Sequence, residues 1–267
     1  MQFPQNKNRQ QQLEAFGRLL DIMDDLRAKC PWDRKQTMES LSYLTIEETY
    51  ELADAILEKN KEEIKKELGD LALHIVFYSK IASETNDFDI ADVFNGICEK
   101  LVIRHPHIYG DVDAKDEDAV KRNWELIKLK EKKDKRLLEG VPSSLPAMVK
   151  AIRVQEKARG VGFDWEDKAQ VWEKVQEEME EFHHKAASLK TKEGSQEKME
   201  AEFGDLLFSL VNYARFMGIN PENALEKTNK KFIKRFNHIE ERGKQEGKSL
   251  AEMTIAEMET YWQEAKG

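Results

Sequence analysis

One twelve-residue pattern occurs twice in this chain, and it restricts the possible folds more than any other feature. Residues 67–78 read ELGDLALHIVFY and residues 202–213 read EFGDLLFSLVNY, with six of the twelve columns identical. The correspondence continues downstream. Lys100-Leu-Val-Ile-Arg104 stands against Lys231-Phe-Ile-Lys-Arg235, and His107-Ile108 against His238-Ile239. Trp124 and Trp262 each have a lysine four residues on. Self-similarity at such a separation marks a duplicated module, so both halves should adopt the same fold.

That fold is all-α. Leu13, Phe16, Leu19, Leu20, Met23 and Leu26 recur at spacings of three and four, which predicts an amphipathic helix over 12–28. Helices are expected over 38–59, 61–85, from Asp89 to 103, and over 117–135. The second half repeats the scheme: a helix to about 159, two acidic helices split at 191–195, one opened by Asn220-Pro221 and running to 241, and one from Thr254. Breaks are expected at Cys30-Pro31-Trp32-Asp33, at Arg104-His105-Pro106-His107 and over 160–165. Gly140-Val-Pro-Ser-Ser-Leu-Pro146 has linker composition. The expected organisation is therefore a disordered tail over 1–8, modules over 9–138 and 147–267, and a linker over 139–146.

Each module carries a carboxylate set. Glu48 and Glu51, Glu67 and Asp70, Glu178 and Glu181, and Glu202 and Asp205 are pairs three residues apart, so each pair shares a helix face. Antiparallel packing of the two acidic helices would bring four carboxylates together. In a chain with 52 acids, such spacing arises roughly once by chance, so the repeat rather than the acids alone carries the argument. Clustered carboxylates repel one another and are tolerated beside a cation. An all-oxygen set favours Mg²⁺, with Mn²⁺ as a substitute, and aspartate at the second position argues against a Glu-x-x-His di-iron site. Gly69 and Gly204 precede the aspartates. They admit either close approach of a neighbouring helix or room for a ligand.

Magnesium is commonly bound together with phosphates, and basic residues accompany the second set. Lys174 and Lys198 lie one turn before Glu178 and Glu202; Lys231, Lys234 and Arg235 line the next helix, and Trp262 can stack on a base. Surface ion pairing and core packing are the plainer readings of the same residues. The first half keeps Lys100, Arg104 and Trp124, but has Leu44 and Glu63 where the second has Lys174 and Lys198. The second half is thus the expected working site.

Composition excludes several classes. A formal charge of −9 does not suit nucleic-acid binding, and no apolar run reaches the ~20 residues of a membrane helix. Residues 1–12 are polar and show no secretory signal, while Cys30 and Cys98 lack metal-type spacing, so a reduced cytoplasmic protein is expected.

These motifs resemble the MazG family of nucleoside triphosphate pyrophosphohydrolases. Both copies match its Glu-Glu-x-x-Glu, spacer, Glu-x-x-Asp pattern, and Cys-Pro-Trp-Asp, Arg-His-Pro-His and Gly-Phe-Asp-Trp are similar to its other signatures. The resemblance implies four-helix-bundle modules, a homodimer and Mg²⁺-dependent hydrolysis of nucleoside triphosphates to monophosphate and pyrophosphate. It implies that Glu178, Glu181, Glu202 and Asp205 are catalytic metal ligands, with Glu48, Glu51, Glu67 and Asp70 the first-half set. It further implies phosphate contacts from Lys174, Lys198, Lys231 and Arg235, and a base-stacking role for Trp262. The alternative is a nucleotide- or metal-sensing module that binds without turnover.

Overall fold

The periodic runs become helices close to their expected bounds, because their ends carry residues that satisfy the orphan backbone groups. The computed structural model describes residues 8–112, 136–188 and 195–266, together with Val120, Asn123, Trp124 and Ile127. It contains α1 (Arg9–Lys29), α2 (Met38–Glu58), α3 (Lys61–Ser83), α4 (Ile90–Arg104), α5 (Pro106–Tyr109), α6 (Ala147–Gly160), α7 (Lys168–Ser188), α8 (Gln196–Phe216), α9 (Pro221–Gln245) and α10 (Ile255–Glu264). The described residues form no strand. The expected tail over 1–8 lies outside them except for Asn8, as does most of the expected helix over 117–135 and of the split at 191–195.

The chain divides into two compact units, 1–113 and 114–267. The proline-rich stretch 139–146 lies within the second of these, next to a 3-10 turn at Leu137–Gly140. In the first unit, α2 ends at Lys59 in the left-handed region (φ 57°), and Asn60 caps α3 by accepting from the Glu63 N–H. Two residues of connection leave α2 and α3 no choice but to pack antiparallel. Met23, Leu41, Val76 and Phe77 form the core, flanked by Phe16, Leu44, Leu73 and Ile90. Met23, with Phe16, Leu19 and Leu20 packed beside it, holds α1 against α3, and burial of one such apolar side chain is worth about 1.5–3 kcal/mol.

In the second unit, α7 and α8 form the corresponding hairpin. Ser195 caps α8 by accepting from the Lys198 N–H at 3.2 Å, and Asn220 does the same for α9 with Pro221 as its first helical residue. Val171, Val175 and Val211 are buried between helices, while Ile239, Met253 and Tyr261 form a separate core joining α9 to α10. The break at Arg104-His-Pro-His differs in detail from expectation. The chain turns at His105, and Pro106 opens the short helix α5 rather than ending structure, because its missing N–H costs nothing at a first helical position.

Candidate metal and nucleotide site

The α2/α3 hairpin register brings Glu48 from one helix beside Glu67 and Asp70 from the other, with one oxygen of each lying within 4.8 Å of the others. The α7/α8 register does the same for Glu178, Glu181 and Glu202. Each group therefore gathers three of its four expected acids. Glu51 stays outside the first group and Asp205 outside the second, and both are exposed. The omitted acids fall on opposite helices, Glu51 on α2 and Asp205 on α8.

Burial makes the acids electrostatically uneasy. Glu67 is 2% exposed, and its Oε2 is buried without a hydrogen-bond partner. Partial loss of water, reinforced by the charges of Asp70 and Glu51, raises the pKa of Glu48. Glu181 is raised in the same way, with Glu178 and Glu202 as the neighbouring charges. Three converging carboxylates in each set, one of which holds its proton more tightly than usual (Glu48 in the first, Glu181 in the second), fit a hard divalent cation by donor chemistry: all oxygen, converging, and with an orphaned acceptor in the first set.

Lysines already meet these acids. Lys174 donates to Glu178 Oε1 at 2.7 Å and to Glu177 Oε1 at 2.9 Å, and both contacts raise its pKa, Glu178 more strongly. Lys198 is exposed at the start of α8, and Glu202 instead pairs with Lys185 at 3.8 Å. In the first unit the expected shortage of positive charge needs correction. Leu44 is indeed apolar and packs on the core, but Lys66 donates to Glu67 Oε1 at 2.9 Å. Lys66 stands four residues before Asp70, a spacing that could have flagged it, but the acid it meets is its neighbour Glu67, which helix periodicity does not pair with it. Lys185, one turn beyond Glu181, was legible at a spacing of four.

The remaining basic and aromatic candidates lie elsewhere in each unit. Lys231 and Lys234 are exposed on α9, and the Arg235 guanidinium sits 5.4 Å from the Trp262 ring centroid. Phe232 approaches the same ring at 5.0 Å, an aromatic partner the sequence reading did not single out. Lys100 is exposed on α4, Arg104 is half-buried at its end, and Trp124 is half-buried with most of its neighbours outside the described residues.

Two further findings bear on the hairpins. A Cβ built at Gly69 or Gly204 meets nothing within 4 Å among the described residues, so close approach of a described helix does not explain either glycine. Both stand beside open space. In the first unit only, Thr45 Oγ1 bonds His74 Nδ1 at 2.8 Å and the Tyr78 hydroxyl at 2.6 Å; the corresponding positions in the second unit are Val175, Ser209 and Tyr213. Burial lowers the His74 pKa, partly opposed by Asp70.

Paired acid-bearing helical hairpins, one in each unit, define a tandem all-α protein with carboxylate sites suited to metal and phosphate chemistry. Comparison with known proteins gives the family. The MazG nucleotide pyrophosphohydrolase domain matches residues 36–109 and again 167–240. The chain is 45% identical over 257 residues to the Thermotoga maritima nucleoside triphosphate pyrophosphohydrolase/pyrophosphatase MazG, covering 94% of this chain and 96% of that one. It is 40% identical over 260 residues to the Escherichia coli K12 nucleoside triphosphate pyrophosphohydrolase, covering 95% and 98%. A Bacillus subtilis protein, YabN, is 46% identical over 255 residues, which span 51% of its length. The chain belongs to the MazG family.

Proposed function

We propose that this chain hydrolyses nucleoside triphosphates to the monophosphate and pyrophosphate, with Mg²⁺ as its cation (Mn²⁺ substituting) and the second unit as the principal site. The observation that carries the reading is the converging set Glu178, Glu181 and Glu202 with Lys174 already among it. A divalent cation held there supplies Lewis acidity toward the phosphate oxygens and the attacking water. The chain's own residues do the rest. Glu178, Glu181 and Glu202, with Asp205 one turn further along α8, bind the cation. Lys174, Lys198, Lys231, Lys234 and Arg235 offset the charge of the phosphates, and Trp262, braced by Phe232, offers a face for the base. In the first unit Glu48, Glu51, Glu67 and Asp70 form the matching set, with Lys100 and Arg104 as its nucleotide contacts; Trp124, expected alongside them, falls within the second unit.

The active form in this reading is a homodimer. Phe203, Leu207 and Leu210 on α8 and Trp172 and Met179 on α7 are all exposed, more apolar surface than a lone hairpin leaves to water. Gly69 and Gly204, with open space beside them, suit the approach of a second molecule or of substrate. The reading places the protein in the cytoplasm, supported by Cys30 and Cys98 being unbridged. No described helix is long and apolar enough to cross a membrane.

The test is direct. The protein is incubated with each NTP and dNTP plus Mg²⁺, and the monophosphate and diphosphate products are resolved. Monophosphate with pyrophosphate is expected, whereas nucleotide binding without products would favour the sensing module instead.

A further inference from the structure

Lys174 is bonded to a ligand that the cation itself must use. Its ammonium lies 2.7 Å from Glu178 Oε1, and Glu178 is the most buried of the three converging acids in its unit. The same ammonium reaches Glu177 Oε1 at 2.9 Å, and that carboxylate lies outside the converging group and is exposed. Lysine carries its charge on a four-carbon flexible stem, so it can keep one of these partners while releasing the other. The first unit has Leu44 at the matching position and so lacks this arrangement on its α2.

Resting on the metal reading given above, we propose that Lys174 is a tethered counter-ion that competes with the divalent cation for Glu178, and that Glu177 is the carboxylate onto which it withdraws. A fixed positive charge within hydrogen-bonding distance of a ligand oxygen repels a dication bound to that oxygen, and the repulsion is strong where water is scarce. If the lysine moves to Glu177, the repulsion falls and the ammonium is placed at the rim of the site, where a substrate phosphate can take it. Lys174 then makes two contributions: it holds Glu178 in place before the cation binds, and it is released as a phosphate contact afterwards. Glu177, which the spacing of the ligands would leave as a solvated acid, becomes a positioning residue for Lys174.

The two neighbours should therefore change metal affinity in opposite directions. Mn²⁺ binding by the full-length protein is followed by the loss of the free-ion paramagnetic resonance signal, in a parent carrying Glu67→Gln and Asp70→Asn so that only the second site is read. Lys174→Leu is expected to tighten Mn²⁺ binding on the order of tenfold. Glu177→Gln is expected to weaken it several-fold, and that effect is expected to shrink when Lys174→Leu is also present, because the cycle isolates their coupling. Unchanged or weaker binding in Lys174→Leu overturns the proposal, as does a Glu177→Gln effect of equal size in both backgrounds. If the parent itself fails to bind Mn²⁺ while circular dichroism shows it folded, the metal reading is overturned and this inference with it.

Discussion

The two acid hairpins were built from one pattern, and their differences show what each can still do. In the first unit the most buried acid, Glu67, comes from the second helix of the hairpin and is met by Lys66 beside it on the same helix. In the second unit it is Glu178, from the first helix, met by Lys174 one turn away. Below the first set lies the Thr45–His74–Tyr78 hydrogen-bonded group; below the second, Val175 is buried and the Ser209 hydroxyl donates to the Leu206 carbonyl. The first hairpin links three polar side chains in its interior where the second has Val175, and each meets its most buried acid with a lysine from a different position. A motif can thus be duplicated while the balance of charge around it drifts.

The strongest way to break this comparison is to remove the buried acids one at a time. Glu178→Ala is expected to lower pyrophosphate release on the order of 100-fold or more, whereas Glu67→Ala should leave most of the activity. The reverse ranking in a pyrophosphate assay would make the first unit the working one.

Next in size are the arginine clamps, which each unit makes differently. Arg27 reaches from α1 to Glu84, with bonds of 2.6 and 2.8 Å, and donates to the Gln36 carbonyl at 3.2 Å and to that of Asp33. Arg215 instead reaches from α8 to both carboxylate oxygens of Asp164. Arg27→Ala and Arg215→Ala should each lose about 2 kcal/mol, less than a fully buried pair because Glu84 remains partly in water. Urea unfolding of each variant measures this, and a loss below about 0.5 kcal/mol would mean that the clamp is only a surface pair.

A smaller effect tests the interior. Thr45→Val imitates Val175 but strips His74 Nδ1 and the Tyr78 hydroxyl of a shared partner, and should cost about 1 kcal/mol in the same unfolding experiment. If Thr45→Val is neutral, the polar group adds nothing to the stability of the first unit.

The smallest effect is a pH dependence shared by both units. Glu48 and Glu181 have folded-state pKa values above their ordinary ones, so between the two values the folded protein holds protons that the unfolded chain has released. Their contribution to stability is therefore lost as pH rises through the raised pKa, and recovered on acidification. Glu84, held below its ordinary value chiefly by its hydrogen bond from Arg27, works in the opposite sense and loses its contribution as pH falls through its own pKa. With a chelator present, Glu48→Gln and Glu181→Gln should each raise the melting temperature slightly near neutral pH. An unchanged or lower melting temperature would show that the acids do not strain the fold.

Much of this architecture was legible without coordinates of any kind. Three- and four-residue spacing of apolar side chains located α1, and Asp89 and Asn220 marked helix starts because their side chains accept from the first free N–H groups. The duplicated Glu, Gly and Asp columns pointed to both carboxylate sets. The helix assignments hold because they depend on neighbours within one or two turns, and local chain geometry is the same in any fold.

Cross-helix register was not legible, since it depends on how two helices slide and rotate against each other. Only the tertiary structure decided that Glu51 and Asp205 stand outside their groups, that Lys185 meets Glu202, and that Leu44 belongs to the core. It also decided that Gly69 and Gly204 face open space instead of a packed helix. The sequence determined which carboxylates share a helix face; the packing of one hairpin helix on the other decided which of them meet, because a shift of one residue turns a side chain about 100° around its axis.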